Sequence, residues 1–392
     1  MNLFVKGRKN VFKILQTTIK DTDISIWFHC ASLGEYEQGF PIMESVKKEF
    51  PNHKLLITFF SPSGYEIKKN SPIADLVIYL PLDTPYNSKK FLKLAHPSLA
   101  VFIKYEFWPN YLFQLKKNSI PTILVSGLFR ESQIFFKSYG GFMKRALGNF
   151  DHLFVQDKVS LELLNSINIK NVSISGDTRF DRVFNQLKQD NTLDFIEQFK
   201  GDSLCIVCGS TWPEDEAVLL DYMNSASENV KFIIAPHTIN AGKIEAFRKN
   251  SRKEVILFSE KRNQDLSEYS VLIVDTIGLL TKIFSYADIA YIGGAMGKTG
   301  LHNILEPATF GVPIVVGQHM KKFPEAIRLQ QLEGLFSVSD SISCSQILSK
   351  LVADEGFRIK TGTITKQYIE NNRGANKKVL TYIDQLKKEH LI

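Results

Sequence analysis

Two carboxylates follow apolar runs of strand character in the first half of the chain. Glu35 comes a few small residues after the run Ile24–His29, and Glu106 comes shortly after the run Leu99–Ile103. Both lie where a strand ends and a helix begins; a helix N-terminus favours an ionised carboxylate, which can act as a general base. In the structural alternative, Glu35 does no more than complement the helix dipole. The structural alternative for Glu106 is a solvated residue beside a structural tryptophan.

A glycine-rich segment in the second half has the composition of a phosphate-binding loop. Residues 293–300 carry four glycines directly after the apolar run Ile289–Ile292 and before a predicted helix over 303–310. The backbone N–H groups of such a loop and the N-terminus of the next helix can bind an anion. The spacing fits neither a P-loop nor a dinucleotide-binding fingerprint. The residues that we assign to this site are Gly293, Gly294, Gly297 and Thr299.

The segment after the glycines could contact a nucleoside. Asn303 and Glu306 have the spacing of a capping box with Asn303 as the N-cap residue, which would make Glu306 a structural cap. In the functional alternative, the Glu306 carboxylate accepts hydrogen bonds from a ribose diol while the glycines bind phosphate.

Two further strand-end loops in the second half carry polar groups. One follows the run Leu204–Cys208 and precedes an acidic helical turn, so it offers backbone and hydroxyl donors. The other follows the run Lys231–Ala235 and contains a histidine, a residue that is more often structural than functional when it stands alone. The residues of interest in these loops are Gly209, Ser210, Thr211, Pro236 and His237.

An alternation of short apolar runs and amphipathic stretches positions these residues. The runs are continuously apolar, as in strands covered on both faces, and strand–helix alternation predicts parallel α/β sheets. The predicted strands are Ile24–His29, Lys54–Phe59, Leu76–Leu80, Leu99–Ile103, Thr122–Ser126, His152–Val155, Val172–Ser175, Leu204–Cys208, Lys231–Ala235, Val255–Phe258, Val271–Val274, Ile289–Ile292 and Pro313–Val316. The predicted helices are Glu37–Phe50, Gly64–Lys69, Pro109–Asn118, Lys158–Ile167, Pro213–Asn224, Ala241–Asn250, Ile277–Ala287, Asn303–Phe310, Glu325–Glu333 and a broken Ile364–Lys388.

The alternation of predicted strands and helices begins again after a polar stretch near residues 180–200. We therefore predict an α/β protein of two doubly wound domains, covering 1–185 and 186–370. A C-terminal helix in 371–392 could pack back on the first domain. Ligands bind beyond the carboxyl ends of the strands in such sheets, so a cleft between the domains is expected to hold the site.

Composition and charge restrict the class of protein. The 392 residues carry a net charge of +7, and residues 1–180 contain 23 basic and 15 acidic residues, so the positive charge lies in the first half. An apolar run of about 18 residues, which a membrane helix needs, is absent. The stretch 1–5 meets Lys6, Arg8 and Lys9 too soon for a signal peptide. We expect buried, reduced thiols at all four cysteines: Cys30, Cys205, Cys208 and Cys344.

An ordered set of motifs resembles the 3-deoxy-D-manno-octulosonic acid (Kdo) transferases of lipopolysaccharide synthesis. The resemblance runs from about residue 7 to residue 325. It departs from enterobacterial members at Lys104-Tyr105, where they have Glu-Thr, and at His237, where they have Arg. The motifs are Ala31-Ser-Leu-Gly-Glu35, Glu106-Phe-Trp-Pro-Asn110, Gly176-Asp-Thr-Arg-Phe-Asp181, Asp275-Thr276, Gly293-Gly294, His302-Asn-x-x-Glu-Pro307 and Gly311-Val-Pro313.

The resemblance implies a GT-B glycosyltransferase that uses neither a metal nor a cofactor. Such an enzyme moves Kdo from its cytidine monophosphate ester, CMP-Kdo, to a glucosamine hydroxyl of a lipid A precursor with inversion. It makes Glu35 the catalytic base and places Glu106 in the same site. The CMP-Kdo contacts map onto Gly209, Ser210, Pro236, His237, Gly293, Gly294, His302, Asn303 and Glu306.

The basic first half is expected to face the phosphorylated acceptor and the membrane surface. Family members usually begin with an apolar anchor, which we do not find, so we expect a peripheral protein at the cytoplasmic face of the bacterial inner membrane. Four aromatic residues between 135 and 142 enter the membrane interface or form a buried helix face. The residues assigned to the acceptor are Ser32, Gly34, Lys104, Arg130, Lys137, Lys144 and Arg145.

Two other classes of function remain open at this stage. One is another GT-B enzyme, either a transferase or an epimerase that uses a UDP-sugar. The other is a non-catalytic protein that binds anionic lipid or nucleic acid. Nucleic-acid binding would need a known module, or basic residues interleaved with exposed aromatics, and neither is found; we therefore expect no nucleic-acid partner.

Overall fold

The computed structural model describes Phe4 and residues 7–392, which form two compact units. Unit 1 comprises the chain up to Arg182 together with Arg373–Ile392, and unit 2 comprises Val183–Asn372. Lys6, the first of five basic residues between positions 6 and 20, lies outside the described residues, as does most of the 1–5 stretch.

Unit 1 is built on a seven-stranded, wholly parallel sheet in the order β3-β2-β1-β4-β5-β6-β7. Its strands are β1 (Ser25–Cys30), β2 (Lys54–Phe59), β3 (Leu76–Tyr79), β4 (Pro97–Ile103), β5 (Thr122–Gly127), β6 (His152–Val155) and β7 (Val172–Ile174). The helices up to the unit boundary are α1 (Val11–Thr18), α2 (Leu33–Glu49), α3 (Pro62–Lys68), α4 (Pro85–Ala95), α5 (Pro109–Lys117), α6 (Gly141–Leu147), α7 (Lys158–Ser166) and α8 (Thr178–Asn185).

Unit 2 repeats the plan with a second seven-stranded parallel sheet, in the order β10-β11-β9-β8-β12-β13-β14. Its strands are β8 (Leu204–Thr211), β9 (Val230–Pro236), β10 (Val255–Leu257), β11 (Val271–Ile273), β12 (Ile289–Ile292), β13 (Ile314–Gly317) and β14 (Leu335–Val338). The remaining helices in chain order are α9 (Asp194–Lys200), α10 (Pro213–Ser225), α11 (Ala241–Asn250), α12 (Leu280–Ile283), α13 (Leu305–Thr309), α14 (Pro324–Gln331), α15 (Ser341–Ala353), α16 (Glu355–Asn372) and, in unit 1, α17 (Ala375–Lys388). Short 3-10 turns cover Ile134–Phe136, Gln186–Lys188, Phe258–Glu260, Leu266–Glu268 and Phe284–Tyr286.

The predicted α/β class with parallel sheets is confirmed. Every residue of β1 is buried, as are the strands β3, β5, β12 and β13 along their whole length, because helices cover both faces of each sheet. The four cysteines are free and buried, as predicted. Burial raises the pKa of the Cys205 and Cys344 thiols to about 12, so both remain protonated.

Several predicted elements differ in length or were missed. The helix predicted over Ile277–Ala287 is reduced to the single turn α12, and that over Asn303–Phe310 shortens to α13. The strand β14 and the helices α1, α4, α6 and α15 were not predicted. In β14 the two central residues are only half-buried and one of them is Ser337, so the apolar run that signals the other strands is broken.

The C-terminal helix α17 belongs to the core of unit 1. Its buried residues Val379 and Ile383 pack in one apolar cluster with side chains of β1, β2 and β4. The Asp181 carboxylate accepts hydrogen bonds of 2.9 Å from the backbone nitrogens of Gly374 and Ala375, at the N-terminus of this helix. A residue of α8 thus caps a helix almost two hundred positions later.

Within the described ranges, Phe4 and 7–392, the helices are all too short or too polar to cross a bilayer.

Candidate active site

Both sheets reverse their strand order at one place, and predicted site residues lie there. In unit 1 the reversal falls between β1 and β4, and in unit 2 it falls between β8 and β12. Doubly wound sheets bind ligands beyond the carboxyl ends of the strands at this point. Glu35 follows β1 and Glu106 follows β4, while Gly209 lies near the end of β8 and Gly293 follows β12.

Glu35 is the third residue of α2 and completes a capping box with Ser32. Its Oε2 accepts a hydrogen bond of 3.0 Å from the backbone nitrogen of Ser32 and a second, short one from the Ser32 hydroxyl. Glu35 therefore complements the N-terminus of the helix, as in the structural alternative, and also caps it. Both contacts use Oε2, and Oε1 has no hydrogen-bond partner among the described residues, so one oxygen can still accept a proton.

Glu106 is buried and forms part of a polar network beneath the strand ends. Its Oε2 lies 2.9 Å from Nε2 of His29 and accepts a hydrogen bond of 2.7 Å from the indole nitrogen of Trp108. His29 is fully buried, and its Nδ1 lies 2.8 Å from the hydroxyl of Thr58, which also accepts from Trp27. Glu106 is therefore not the solvated residue of the alternative interpretation.

Two ionisable side chains connect the carboxylates electrostatically. Burial raises the pKa of the Cys30 thiol well above its usual range, and the charges of Glu35 and Glu106 raise it further. Burial also raises the pKa of Tyr105; Arg130 opposes that rise and Glu35 adds to it. Glu35, Glu106 and the predicted acceptor residue Arg130 thus share one electrostatic neighbourhood in unit 1.

The Trp-Pro-Asn motif after Glu106 starts α5 and is held by Asp83. The backbone nitrogens of Asn110 and Tyr111 each donate to the Asp83 carboxylate at 3.2 Å, and the Asn110 side chain donates to the Asp83 carbonyl at 3.1 Å. This ties the loop after β3 to the loop after β4. The motif therefore fixes the loop from which Glu106 and Trp108 project.

The glycine loop of unit 2 folds around a buried carboxylate that the sequence analysis did not single out. The Oδ2 of Asp215 accepts from the backbone nitrogens of Gly294 at 2.8 Å and Trp212 at 2.9 Å, and its Oδ1 accepts from the Tyr291 hydroxyl at 3.0 Å. Burial raises the pKa of Asp215, and these hydrogen bonds oppose the rise. The start of the loop is thus organised by an internal negative charge.

The first two glycines shape this loop. Gly294 has a φ of 94°, and a Cβ added there would lie 2.1 Å from the carbonyl oxygen of Gly300. A Cβ added at Gly293 would lie 2.4 Å from the carbonyl oxygen of Ser210. The amide of Gly293 donates to the Gly209 carbonyl, and the amide of Gly294 donates to the Asp215 carboxylate. The amides assigned to phosphate at these two positions are therefore both engaged inside the protein, because the loop needs them for its own fold.

Three aromatic rings stack at the strand ends of unit 2. The rings of Trp212 and His237 are 4.8 Å apart, and those of His237 and His302 are 4.3 Å apart. The Trp212 indole donates to Nε2 of His302 at 3.1 Å, so the proton of a neutral His302 is on Nδ1. Burial lowers the pKa of His302 and the charge of His237 lowers it further, which favours the neutral ring.

The capping box of Asn303 and Glu306, which was the structural alternative for Glu306, does not form as such, although Asn303 does cap the start of the helix. Helix α13 begins at Leu305, two positions later than predicted, with Ile304 as its N-cap. The Asn303 Oδ1 accepts from the backbone nitrogen of Leu305 at 3.1 Å, and its amide donates to Glu306 Oε1 at 3.0 Å. The hydroxyl of Thr281 donates to Glu306 Oε2 at 3.1 Å, so the carboxylate is fixed by its neighbours.

A β-bulge re-aims the end of β8. The register with β9 shifts between Gly209 and Thr211, and Ser210 between them has a φ of 53°, an uncommon value for a residue with a side chain. The hydroxyl of Thr211 donates to Glu216 Oε1 at 2.9 Å. Burial raises the pKa of Glu216, and that hydrogen bond opposes the rise. Ser210 is thus the residue at which this loop adopts a left-handed backbone conformation.

The residues assigned to the acceptor divide into two groups by their place in the fold. Ser32, Gly34 and Lys104 lie at the strand-end loops, and Lys104 has a φ of 71°. The remaining ones, Arg130, Lys137, Lys144 and Arg145, lie between β5 and β6.

The four aromatic residues between 135 and 142 also divide. Phe135 is buried in the core, whereas Tyr139 is 78% exposed and Phe142 is 51% exposed. Phe136 is partly buried against the same core. Two of the four thus form the buried face and two stand on the surface.

Sequence reasoning missed four residues of these sites: His29, Thr58, Trp212 and Asp215. The signal for His29 and Trp212 was present, since each adjoins a motif that was singled out. Thr58 lies inside an apolar strand and Asp215 inside an acidic helical turn, so nothing local marked either one. Clusters of three or more metal-ligating side chains are not found within Phe4 and 7–392.

Comparison with known proteins confirms the resemblance seen in the sequence. Residues 6–182 match the family model described as 3-deoxy-D-manno-octulosonic-acid transferase (kdotransferase). The 3-deoxy-D-manno-octulosonic acid transferase of Aquifex aeolicus is 27% identical over 345 residues, which cover 86% of this chain and 88% of that protein. The enzyme of the same name from Haemophilus influenzae is 25% identical over 369 residues, 91% of this chain and 85% of its own.

Solved structures show the fold. UDP-GlcNAc 2-epimerase from Neisseria meningitidis, bound to UDP-GlcNAc, has a TM-score of 0.66 at 14% identity and covers 92% of this chain and 100% of its own. A glycosyltransferase from Rickettsia africae has a TM-score of 0.60 at 13% identity, covering 94% and 99%. Their common architecture, with the two parallel sheets described above, is GT-B.

Proposed function

We propose that this chain, a relative of the Kdo transferases over most of its length, transfers Kdo from CMP-Kdo to a glucosamine hydroxyl of a lipid A precursor with inversion. The observation that carries the proposal is the match of residues 6–182 to the Kdo transferase family, because the matched segment contains both Glu35 and Glu106. Their position at the switch point of the unit 1 sheet supports it.

In the proposed reaction Glu35 acts as the general base. The acceptor hydroxyl gives its proton to Oε1 of Glu35, and its oxygen forms a bond to the anomeric carbon of Kdo as the bond from that carbon to the phosphate oxygen breaks. CMP leaves with the electron pair. Oε2 stays in the capping box and holds the side chain in place. The buried Glu106 adds negative charge near a transition state of oxocarbenium character.

In unit 2 the donor is proposed to bind along the loops after β8, β9 and β12. The neutral His302 and the hydroxyl of Ser210 can donate hydrogen bonds to the phosphate. Glu306, which is held by Asn303 and Thr281, is proposed to accept a hydrogen bond from the ribose. Fixed donors at the leaving phosphate stabilise the charge that develops there, and we propose that no metal is needed.

The acceptor is proposed to be held by the basic residues of unit 1 at the cytoplasmic face of the inner membrane. Tyr139 and Phe142 are exposed beside Lys137, Lys144 and Arg145. Exposed aromatic rings with basic neighbours favour the interface of an anionic membrane. This surface supports a peripheral attachment.

The decisive experiment is a transfer assay with CMP-Kdo and a lipid A precursor, analysed by mass spectrometry. Product heavier than the acceptor by one or more Kdo units is expected, and EDTA should leave the rate unchanged. Absence of product under conditions in which a characterised Kdo transferase is active would refute the proposal.

A nucleotide panel separates the proposal from a UDP-sugar enzyme. Thermal stabilisation by CMP and not by UDP or UMP is expected. Stabilisation by UDP alone would favour a UDP-sugar transferase or epimerase. Salt-dependent RNA binding without any response to CMP would favour a non-catalytic binder.

A further inference from the structure

His29 occupies an unusual position for an ionisable side chain. It is the penultimate residue of β1 and fully buried, yet both of its ring nitrogens have polar neighbours. Nδ1 lies 2.8 Å from the Thr58 hydroxyl and Nε2 lies 2.9 Å from Oε2 of Glu106. The ring therefore bridges an internal hydroxyl and a carboxylate at the switch point of the sheet.

The partners of Thr58 decide where the proton of His29 resides. The Trp27 indole can only donate, so the Thr58 oxygen accepts that hydrogen bond, which is 2.8 Å long. The Thr58 hydroxyl proton then has two acceptors, Nδ1 of His29 at 2.8 Å and the carbonyl of Phe28 at 3.4 Å. The shorter contact makes Nδ1 the acceptor and leaves the ring proton on Nε2.

The environment of Glu106 agrees with this assignment. A carboxylate oxygen 2.9 Å from an unprotonated ring nitrogen would place two lone pairs against each other, whereas Nε2–H donates to it. The Trp108 indole nitrogen lies 2.7 Å from the same oxygen and 2.9 Å from Nε2 of His29. Its single proton goes to the carboxylate oxygen, which is the nearer of the two acceptors. One oxygen of a buried carboxylate is thus held by two N–H donors on rigid rings.

We propose that His29 is a positioning residue, whose imidazole, oriented by Thr58, holds the Glu106 carboxylate in the geometry that the reaction requires. The proposal rests on the function proposed above for its kinetic consequences but not for its structural content. Displacing a catalytic group by about 1 Å can cost roughly a hundredfold in rate. Loss of the Nε2–H donor should therefore lower kcat more than it changes KM.

Two amide substitutions at His29 test separately its contact with Thr58 and its contact with Glu106. In His29→Gln the amide nitrogen reaches the former position of Nε2 and can still donate to Glu106. In His29→Asn the shorter amide reaches only the position of Nδ1, beside Thr58. Both variants bury a neutral amide, so they are matched in polarity and each controls for the other.

The kinetic arm of the test compares these variants by Kdo transfer. We expect His29→Asn to lose roughly a hundredfold in kcat at similar KM, and His29→Gln to stay within about tenfold of the wild type. The double variant His29→Asn/Glu106→Gln should be no slower than Glu106→Gln alone, because both changes remove one interaction. Equal kcat in His29→Asn and wild type, or equal losses in both amide variants, would overturn the proposal.

The spectroscopic arm needs no transferase activity. The ring nitrogens of wild-type protein labelled with 15N-histidine report which nitrogen carries the proton, and the His29 signal is assigned by its absence in His29→Asn or His29→Gln. Protonation at Nε2 is expected. In Thr58→Val, which keeps the shape but removes the hydroxyl, this preference should weaken. A proton on Nδ1 in the wild type would refute the assignment, even if Kdo transfer were absent and the proposed function had failed.

Discussion

The carboxylate of Asp215 accepts a hydrogen bond of 2.8 Å from the amide of Gly294, although 79 positions separate the two residues. Asp215 lies in the first turn of α10, after β8, and Gly294 lies just after β12, the strand that pairs with β8. A charge on one loop therefore holds the conformation of the other. The two strand-end loops at the unit 2 switch point form one polar structure.

Removing this charge should destabilise unit 2. In Asp215→Asn one amide group replaces a fully buried acceptor that serves Gly294, Trp212 and Tyr291, so we expect a loss of about 3 kcal/mol in the free energy of unfolding. CMP binding should weaken as well, because the glycine loop loses its support. Denaturant titration and calorimetric binding measure the two effects.

Asp221 provides the matched control, since it lies on the same helix and is exposed. Asp221→Asn should change stability by less than about 0.5 kcal/mol. If Asp215→Asn is no less stable than this control, the buried carboxylate does not organise the loop.

Glu35 combines a structural and a proposed chemical role that substitutions can separate. A glutamine at the third helical position still completes a capping box, so Glu35→Gln should keep its stability. It cannot accept a proton as a base, so kcat should fall by about a thousandfold. Glu35→Ala should lose the cap as well, at a cost of about 1 kcal/mol.

The control is Glu44→Gln, an exposed position on the same helix, which should keep both activity and stability. Thermal denaturation and initial rates of Kdo transfer are measured side by side. A Glu35→Gln variant with near wild-type kcat would show that the carboxylate is a cap and not the base.

The stacked His302 should give unit 2 a pH-dependent stability. Burial and the neighbouring His237 lower the pKa of His302, so the unfolded chain takes up a proton on this residue at a higher pH than the folded chain does. The unfolded state therefore binds more protons as the pH falls below about 6.5, and the contribution of His302 to stability is lost as the pH falls through its folded pKa.

His302→Asn lacks this group, so the advantage of the wild type over the variant should shrink between about pH 7.5 and about pH 5.5. Melting temperatures of both proteins across this range provide the measurement. An advantage that stays constant or grows on acidification would contradict the lowered pKa.

The exposed aromatic pair of unit 1 should support membrane binding. Replacing both Tyr139 and Phe142 by serine removes two exposed rings beside basic residues, and we expect roughly tenfold weaker binding to vesicles of phosphatidylglycerol and phosphatidylethanolamine. Sedimentation with vesicles measures the change. Ile342→Ser is the control, since Ile342 is 70% exposed in unit 2; equal binding by the double variant and this control would place membrane contact elsewhere.

Much of the fold could be predicted because buried parallel strands are continuous apolar runs. Leu99–Ile103 was predicted as a strand and β4 is Pro97–Ile103, and the residues just after such runs marked where Glu35 and Glu106 lie. The failures have physical causes too. In β14 the run is interrupted at Ser337, and α13 begins at Leu305 although Asn303 and Glu306 have the spacing of a capping box.

The polar interior of the sites could not be predicted, because it depends on pairings between distant segments. An aspartate in an acidic helical turn is normally exposed, and only the return of β12 beside β8 makes Asp215 an internal residue. A histidine in an apolar strand carries no local sign of its partners. His29 meets Glu106, 77 positions later, only because β1 and β4 pair.

The discontinuity of unit 1 constrains how the chain can fold during synthesis. Unit 2 is one uninterrupted segment and can be completed once Asn372 has emerged from the ribosome. Unit 1 includes residues on both sides of unit 2, so it is completed later. The apolar surface that Val379 and Ile383 cover stays exposed until α17 has been synthesised and Asp181 caps its N-terminus. The core of unit 1 therefore stays unfinished until α17 has been synthesised.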